Sequence, residues 1–302
     1  MVKERPILSE SANQTRKSFG AKWRSTADYQ IGGAQSFDTD TLQWIVARNG
    51  FDSLDAFGHH LKQFSSVLDA GCGNGRILGL MAGLVQDKTK LYGLDFSAAE
   101  IARANLRNRV ARIHDADLTD KSSLENVEHV EFIYCQEVLH HTSDPELSFR
   151  NLVDLLLPGG EIAIYVYKKK APIREFTDDF VRGLVEGLSS ADAMRHAAEF
   201  SELGRVLSGL DVEFDAPAVS SLGIPAGRYT VQRFLYHFFV KCYWNPELST
   251  EHNDMVNFDW YHPSLCSRHT PEEVLGWFES SDLKVIHSCV DDYGITVRGL
   301  KS

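Results

Sequence analysis

The chain has 302 residues, 43% apolar and 24% charged, an ordinary globular composition long enough for one large domain or one domain with a sizeable insertion. Its 42 acidic and 31 basic side chains leave a formal net charge of −11, a field that opposes polyphosphate and argues against nucleic acid as a partner. Five cysteines stand singly at 72, 135, 242, 266 and 289 with no C-x-x-C pair, which points away from a zinc site and from a disulfide framework. No stretch approaches the ~18 uninterrupted apolar residues of a membrane span, and the polar start Met1-Val-Lys-Glu-Arg-Pro6 lacks the apolar core of a signal peptide. These features predict a cytoplasmic protein with no metal and no membrane partner, acting as a monomer or homodimer.

Residues 1–30 are polar with isolated aromatics, Phe19, Trp23 and Tyr29, which suits a lid over a bound ligand. Helical spacing follows over 39–64, with Asn49-Gly50 as a stop between two helices. Ser66–Ala70 reads as a buried strand ending in Asp69, followed by Gly71, Gly73 and Gly75 at every second position. Ile77, Leu78, Leu80, Met81, Leu84 and Val85 then recur at helical spacing, so the glycine turn opens a helix. Glycines there let the chain turn sharply and let a ligand lie against bare main chain. A carboxylate at this strand end repels phosphate and suits a cation, and Arg76 stands where the G-x-G-x-x-G dinucleotide fingerprint needs its third glycine.

Leu91–Asp95 reads as strand 2, ending in an acid twenty residues after Gly75, where a βαβ unit brings a carboxylate to the ribose hydroxyls of a nucleoside. Ser97 with Glu100 has the spacing of a capping box for the next helix. Val110–His114 is a weaker strand 3, followed by Asp115 and Asp117, either of which can accept from the exocyclic amine of adenine. Glu131–Cys135 is strand 4, Asp144-Pro145 starts a helix that Pro158-Gly159-Gly160 ends, and Glu161–Tyr167 is strand 5. Residues 168–270 lack the strand–helix alternation. They predict helices over 176–188, 191–207 and 230–244, the last unusually aromatic. Thr270-Pro271 opens a last helix, and 283–290 and 295–300 are the closing strands.

Asp69-x-Gly71-x-Gly73-x-Gly75, Val138-Leu-His-His141 with Asp144-Pro145, and Leu157-Pro-Gly-Gly160 before a strand together resemble the small-molecule branch of class I S-adenosylmethionine-dependent methyltransferases. The resemblance covers 71–167. It implies a doubly wound, Rossmann-like α/β fold: a mostly parallel seven-stranded sheet with an antiparallel last strand and a helical cap insertion. The expected organisation is an N-terminal lid and helices over 1–65, a core of 66–167 and 271–302, and an aromatic-rich cap over 168–270. The implied cofactor is S-adenosylmethionine, held by Asp69, Gly71, Gly73, Gly75, Asp95, Phe96, Asp117, Leu118 and Gln136.

A sulfonium methyl group is already activated, so positioning supplies most of the rate and no obligatory triad marks the sequence. Gln136, His141 and His269 are the expected catalytic positions, the resemblance favouring His141 over its neighbour His140. Acceptor contacts are expected from Tyr167 on strand 5, from Arg228, Arg233 and Arg268, and from Trp244, Trp260 and Tyr261. Arginine grips carboxylates in a bidentate fork and aromatic faces stabilise cations. An anionic or amino-acid-like metabolite fits that set, including a thioether such as methionine, for which no base is needed. The competing readings are an NAD-dependent oxidoreductase on a similar sheet and a non-catalytic S-adenosylmethionine-binding regulatory protein.

Overall fold

The computed structural model describes residues 9–107, 109–110 and 112–302. In chain order the helices and strands are α1 (Glu10–Ser25), α2 (Thr39–Arg48), α3 (Leu54–Leu61), β1 (Ser66–Ala70), α4 (Arg76–Ala82), β2 (Lys90–Asp95), α5 (Ala99–Asn105), β3 (Arg112–Asp115), β4 (Val130–Gln136), α6 (Pro145–Leu155), β5 (Leu156–Tyr167), α7 (Pro172–Val185), α8 (Ser190–Ser208), β6 (Glu213–Ala216), β7 (Gly227–Thr230), α9 (Val231–Phe238), α10 (Thr250–Tyr261), α11 (Pro271–Ser280), β8 (Leu283–Val290) and β9 (Gly294–Lys301). They form two compact units, one of 20–168 with 267–302, the other of 169–266 with 10–19.

The first unit is built on a seven-stranded sheet in the order β3-β2-β1-β4-β5-β9-β8. Strands β1 to β5 run parallel, and β9 runs antiparallel to both β5 and β8. Residue alternation sends successive side chains to opposite faces. Leu68, Ile133, Cys135, Ile162 and Ile164 meet Phe149, Leu152, Trp277 and Phe278 of α6 and α11 on one face. Val67, Phe132, Tyr134 and Ala163 meet Phe57, Leu61, Leu78, Met81 and Ala102 of α3, α4 and α5 on the other. A sheet covered on both faces is what the near-continuous apolar runs of these strands predict.

Several local expectations change. Asn49 ends α2 as expected, with Gly50 at φ 80 beside it. Strand 3, expected over 110–114, is Arg112–Asp115; residue 111 lies outside the described residues, as do the first eight residues of the expected lid. Ser97 does not cap α5: Asp95 Oδ1 instead accepts from the Ser97 and Ala98 N–H groups at 2.8 and 2.7 Å, so the strand-end acid takes the work of the cap. Pro158-Gly159-Gly160 does not separate a helix from a strand. β5 already begins at Leu156, and the three residues bulge out between the pairs Val130–Leu156 and Phe132–Glu161.

The second unit is not purely helical. It contains a β6–β7 antiparallel hairpin that periodicity did not reveal. The aromatic helix expected to reach Trp244 stops at Phe238. The chain beyond it runs irregularly because buried side chains take its backbone groups. Lys241 N–H donates to Asp178 Oδ1 (3.1 Å), Tyr243 N–H to Asn257 Oδ1 (2.9 Å), and Cys242 C=O accepts from Gln232 Nε2 (3.0 Å). Gly204 of α8 permits this course, since a Cβ there would lie 2.5 Å from the Cys242 carbonyl oxygen.

Asp178 is the hub of this unit. It is 1% exposed and accepts from Arg174 Nε (3.1 Å), Trp260 Nε1 (2.8 Å), Tyr261 OH (3.0 Å) and the Lys241 N–H. Removing one member of a buried, bonded pair strands the other charge, at about 3–5 kcal/mol. Asp178→Ala is therefore expected to lower the stability of the second unit by that order, read as an early transition in thermal or urea unfolding. An unchanged transition would show that the hub is dispensable.

Candidate functional site

The parallel strands β1, β2 and β4 end side by side, and open α/β sheets bind ligands at that carboxyl edge. Asp69, one residue from the end of β1, is 4% exposed and its Oδ2 has no hydrogen-bond partner. Burial, reinforced by the nearby Asp95 carboxylate, pushes its pKa up from 3.8 to about 7. An uncompensated buried acid is costly unless a cation arrives.

Immediately beyond, Gly71, Gly73 and Gly75 take φ of 83, 54 and 91, a left-handed path that side chains rarely adopt. The turn is also crowded. A Cβ at Gly71 would meet Val138 Cγ2 at 2.2 Å, and one at Gly73 would meet the Trp23 ring at 2.6 Å. Trp23 thus lies against the turn. Asn74, fully buried, anchors that segment by donating from Nδ2 to the Tyr29 carbonyl at 2.8 Å, while Asn105 Nδ2 donates to the Ala27 and Asn74 carbonyls at 2.7 and 2.9 Å. Arg76 adds a bond to Gln30 Oε1 at 2.5 Å.

Asp95 closes the far side of the turn. Its Oδ2 accepts from the Gly73 N–H at 2.8 Å, and Oδ1 takes three donors, the Ser97 N–H, the Ser97 hydroxyl and the Ala98 N–H. With about four acceptor directions on a carboxylate, Oδ2 keeps the spare capacity for a hydroxyl. Phe96 follows on the turn into α5. Asp117, past β3, accepts from the Thr119 N–H and hydroxyl through Oδ1 at 2.8 and 2.7 Å, and Leu118 is buried with its carbonyl on Asn151 Nδ2.

At the end of β4, Gln136 and Asn49 exchange amide hydrogen bonds at 2.7 and 3.3 Å, so the Gln136 amide is engaged within the chain. The next residue, Glu137, has φ 64, uncommon for a non-glycine residue. Its carboxylate lies 3.1 Å from the Arg48 guanidinium. Arg48 is 4% exposed and stacks between Trp44 and Tyr165, with ring centroids at 3.8 and 4.3 Å. Although burial raises its pKa, Glu137 is held below the usual carboxylate range, chiefly by Arg48. Trp44 is fixed in turn by donating to Asp291 Oδ2 at 3.0 Å. Sequence reasoning missed Arg48, Asn49 and Glu137. The signal available was the charged and amide pair Arg48-Asn49 at the end of an apolar helix, with Gln136-Glu137 at the end of an apolar strand.

Of the paired histidines, His140 is fully buried and stacks on Tyr167 at 3.7 Å, its Nδ1 accepting from the Tyr167 N–H at 3.3 Å. That assigns the ring proton to Nε2, which has no partner, and burial keeps the ring neutral by depressing its pKa well below 6.5. His141 is half-buried and meets Tyr167 edge-on at 5.6 Å. His269 is buried between Ser267 Oγ (2.9 Å from Nε2) and Glu273 Oε1 (2.8 Å from Nδ1), and its N–H donates to the Tyr167 carbonyl at 2.9 Å. Both ring nitrogens are therefore occupied within the chain. Arg268, beside it, is partly buried in the same unit.

The other expected acceptor residues belong to the second unit. Arg228 is exposed and pairs with Glu213 (2.8 Å) and Asp215 (3.6 Å) across the β6–β7 hairpin. Arg233 lies over the Tyr236 ring at 5.7 Å. Trp260 and Tyr261 are core residues whose polar atoms are spent on Asp178, and Trp244 is half-buried where its Cβ packs on Gly204.

Residues 68–164 match the family model described as a methyltransferase domain. The sequence is 34% identical over 118 residues to an uncharacterized protein of Synechococcus sp., covering 37% of this chain and 28% of that protein. It is 28% identical over 100 residues to the ubiquinone biosynthesis O-methyltransferase of Serratia proteamaculans, covering 32% of this chain and 40% of that one. The chain spans between 28% and 45% of the length of the first of these relatives. Among solved structures it is similar to the 1,6-didemethyltoxoflavin-N1-methyltransferase of Burkholderia thailandensis, with 13% identity over 99% of this chain and 93% of that one and a TM-score of 0.49. Over residues 68–164 the chain thus carries a methyltransferase domain.

Proposed function

We propose that the protein transfers a methyl group from S-adenosylmethionine to a small-molecule acceptor. The observation that carries this reading is the buried Asp69 carboxylate, its Oδ2 unbonded, beside a left-handed glycine turn, with Asp95 at the end of the adjacent strand. Those residues fit the cofactor. Asp69 offers a carboxylate with an unbonded oxygen to its cationic methionine portion, Asp95 Oδ2 has acceptor capacity for the ribose, and Asp117 follows in the order the adenosyl group requires. When bound, the cofactor supplies a methyl group on a sulfonium, an already activated leaving group.

The chain's own contribution is positioning and exclusion of water. Trp23 lies against the turn, and the Asn74 and Asn105 amides hold its segment there. At the ends of β4 and β5 the Arg48–Glu137 pair, flanked by Trp44 and Tyr165, presents a partly exposed carboxylate rather than a free guanidinium. That charge suits an acceptor bearing a donor group, such as the amino group of an amino-acid-like metabolite. His141, half-buried beside Tyr167, is the proposed acceptor-side histidine, while His269 serves through the Ser267–Glu273 bracket that fixes it.

Incubation with methyl-labelled donor and a metabolite extract, followed by mass spectrometry, is expected to give one labelled small molecule and to identify the nitrogen, oxygen or sulfur that receives the group. A folded, donor-binding protein that labels nothing would overturn the transfer reading and leave a binding protein.

For donor binding, Asp95→Ala is expected to weaken affinity by roughly ten- to a hundredfold through the loss of charge-assisted hydrogen bonds. Unchanged calorimetric affinity in a folded variant would remove the ribose assignment. Asp69 adds a pH dependence. With its folded pKa raised to about 7 from 3.8, the group is neutral below that value, so affinity for a cationic ligand rises as pH passes up through about 7 and then levels. The same shift means that the cofactor-free fold is most favoured by this group below pH ~4, loses on the order of 4 kcal/mol as pH rises from ~4 to ~7, and levels above that. In Asp69→Asn both pH dependences are expected to flatten, and titrations of the two proteins at pH 6 and pH 8 check the affinity.

A further inference from the structure

Helix α7 carries its apolar residues on the outside. Arg174, Asp178 and Arg182 face inward and are buried, because the core of the second unit is polar around Asp178. Phe176, Phe180 and Leu184 face outward at 75%, 60% and 61% exposure, and Leu188, just past the helix, is 36% exposed. The i, i+4 spacing places these four along one face. Two aromatic rings this bare on one helix mark an interaction surface.

Two glycines lie in the same strip. At about 100° per residue, positions 176, 180 and 183 fall within a narrow band of the helix, and Gly187 lies just past its end, where continuing the same spacing extends the band. A Cβ built on Gly183 or on Gly187 meets nothing within 4 Å, so no neighbour in the chain requires a glycine at either place. Neither has the positive φ that explains glycine at a helix end. Gly183 sits in the helix interior, where glycine is disfavoured relative to alanine. Within a single chain both glycines are unexplained.

Their spacing explains them. Phe176 and Gly187, and likewise Phe180 and Gly183, are placed symmetrically about the same point between Val181 and Arg182. Two antiparallel copies of α7 related by a two-fold axis through that point set each phenylalanine against a glycine of the other copy. We propose that α7 is the interface of a homodimer, with Phe176 packing on the partner's Gly187 and Phe180 on the partner's Gly183, an isologous contact in which the bare glycine backbone admits the rings. The four exposed apolar side chains offer on the order of 400 Å², about half of what each partner gives a standard interface, and the flanking residues of the helix supply the rim. Charge argues against a lipid surface as the occupant. A membrane-bound helix carries Lys and Arg beside its apolar face, whereas both arginines of α7 are buried and the exposed charges near the stripe are acidic, on a chain of net charge −11.

Sedimentation of the full chain at micromolar concentration is expected to give twice the 33.9 kDa of one chain. Phe180→Glu and Gly183→Lys, both at exposed positions, are each expected to give single chains with an unchanged melting temperature. Mixing the two variants tests the register. A mixed pair keeps one of the two Phe180–Gly183 contacts and sets opposite charges across the other, so heterodimers are expected to return. A wild-type protein that sediments as one chain, variants that remain paired, or a mixture that stays monomeric would each overturn the proposal. So would a monomeric wild type that sediments with anionic phosphatidylserine vesicles and loses that binding on Phe180→Glu.

Discussion

A buried carboxylate with one unbonded oxygen, Asp69, is the constraint on which the carboxyl edge of the sheet depends. Asp69 cannot be solvated, and Asp95 on the neighbouring strand raises the cost of its charge. The surroundings satisfy Asp95 more fully than Asp69, whose charge Arg76 eases only in part. The glycine turn brings the Gly73 N–H to one Asp95 oxygen, and the start of α5 brings three donors to the other. One acid is thereby satisfied and rigid, the other unsatisfied and receptive. Two similar groups on adjacent strands are thus placed in different states by their surroundings.

The same edge is organised further along by a second buried charge, resolved in the opposite way. Arg48 is enclosed by two rings and bound to Glu137, so the guanidinium is spent and the carboxylate is the charge that reaches outward. The left-handed backbone at Glu137 costs about 1–3 kcal/mol. Contacts from α2, β5 and the Asp291 turn hold the partners that keep it there. Asn49, adjacent to Arg48, fixes Gln136 in the same manner. A short helix before the sheet thus sets the side chains at the end of β4, although 87 residues separate the two.

Much of this was legible in the residues because it is local. The alternation of apolar strands and helices from Ser66 to Tyr167, the glycine turn, the acids at strand ends and the Thr270–Glu273 capping box all depend on neighbours within a few positions, and each stands where spacing placed it. Three readings failed for a common reason. Ser97 had the spacing of a cap, but Asp95 took its backbone donors. The helix expected to reach Trp244 ended at Phe238 because Asp178, Asn257 and Gln232 accept and donate at the following peptides. Pro158–Gly160 bulged within β5 because β4 holds the strand on both sides of it. In each case a competing partner outweighed the expected preference: Asp95, two residues before Ser97, in the first, and groups distant in sequence in the other two.

The amino-acid sequence by itself determined the doubly wound sheet and the glycine turn and acids at its carboxyl edge, because strand, turn and helix signals there are short-range and the acids sit at fixed offsets from them. Only the tertiary structure decided which polar groups are spent and which remain available. Gln136, Trp260 and Tyr261 have the chemistry of binding residues, yet their hydrogen-bonding atoms are taken by Asn49 and Asp178. Arg48 and Glu137 give no motif, yet burial and pairing make them a fixed charged feature of that edge. Hydrogen bonds and desolvation act through space rather than along the chain, so the state of a polar group is a property of the fold.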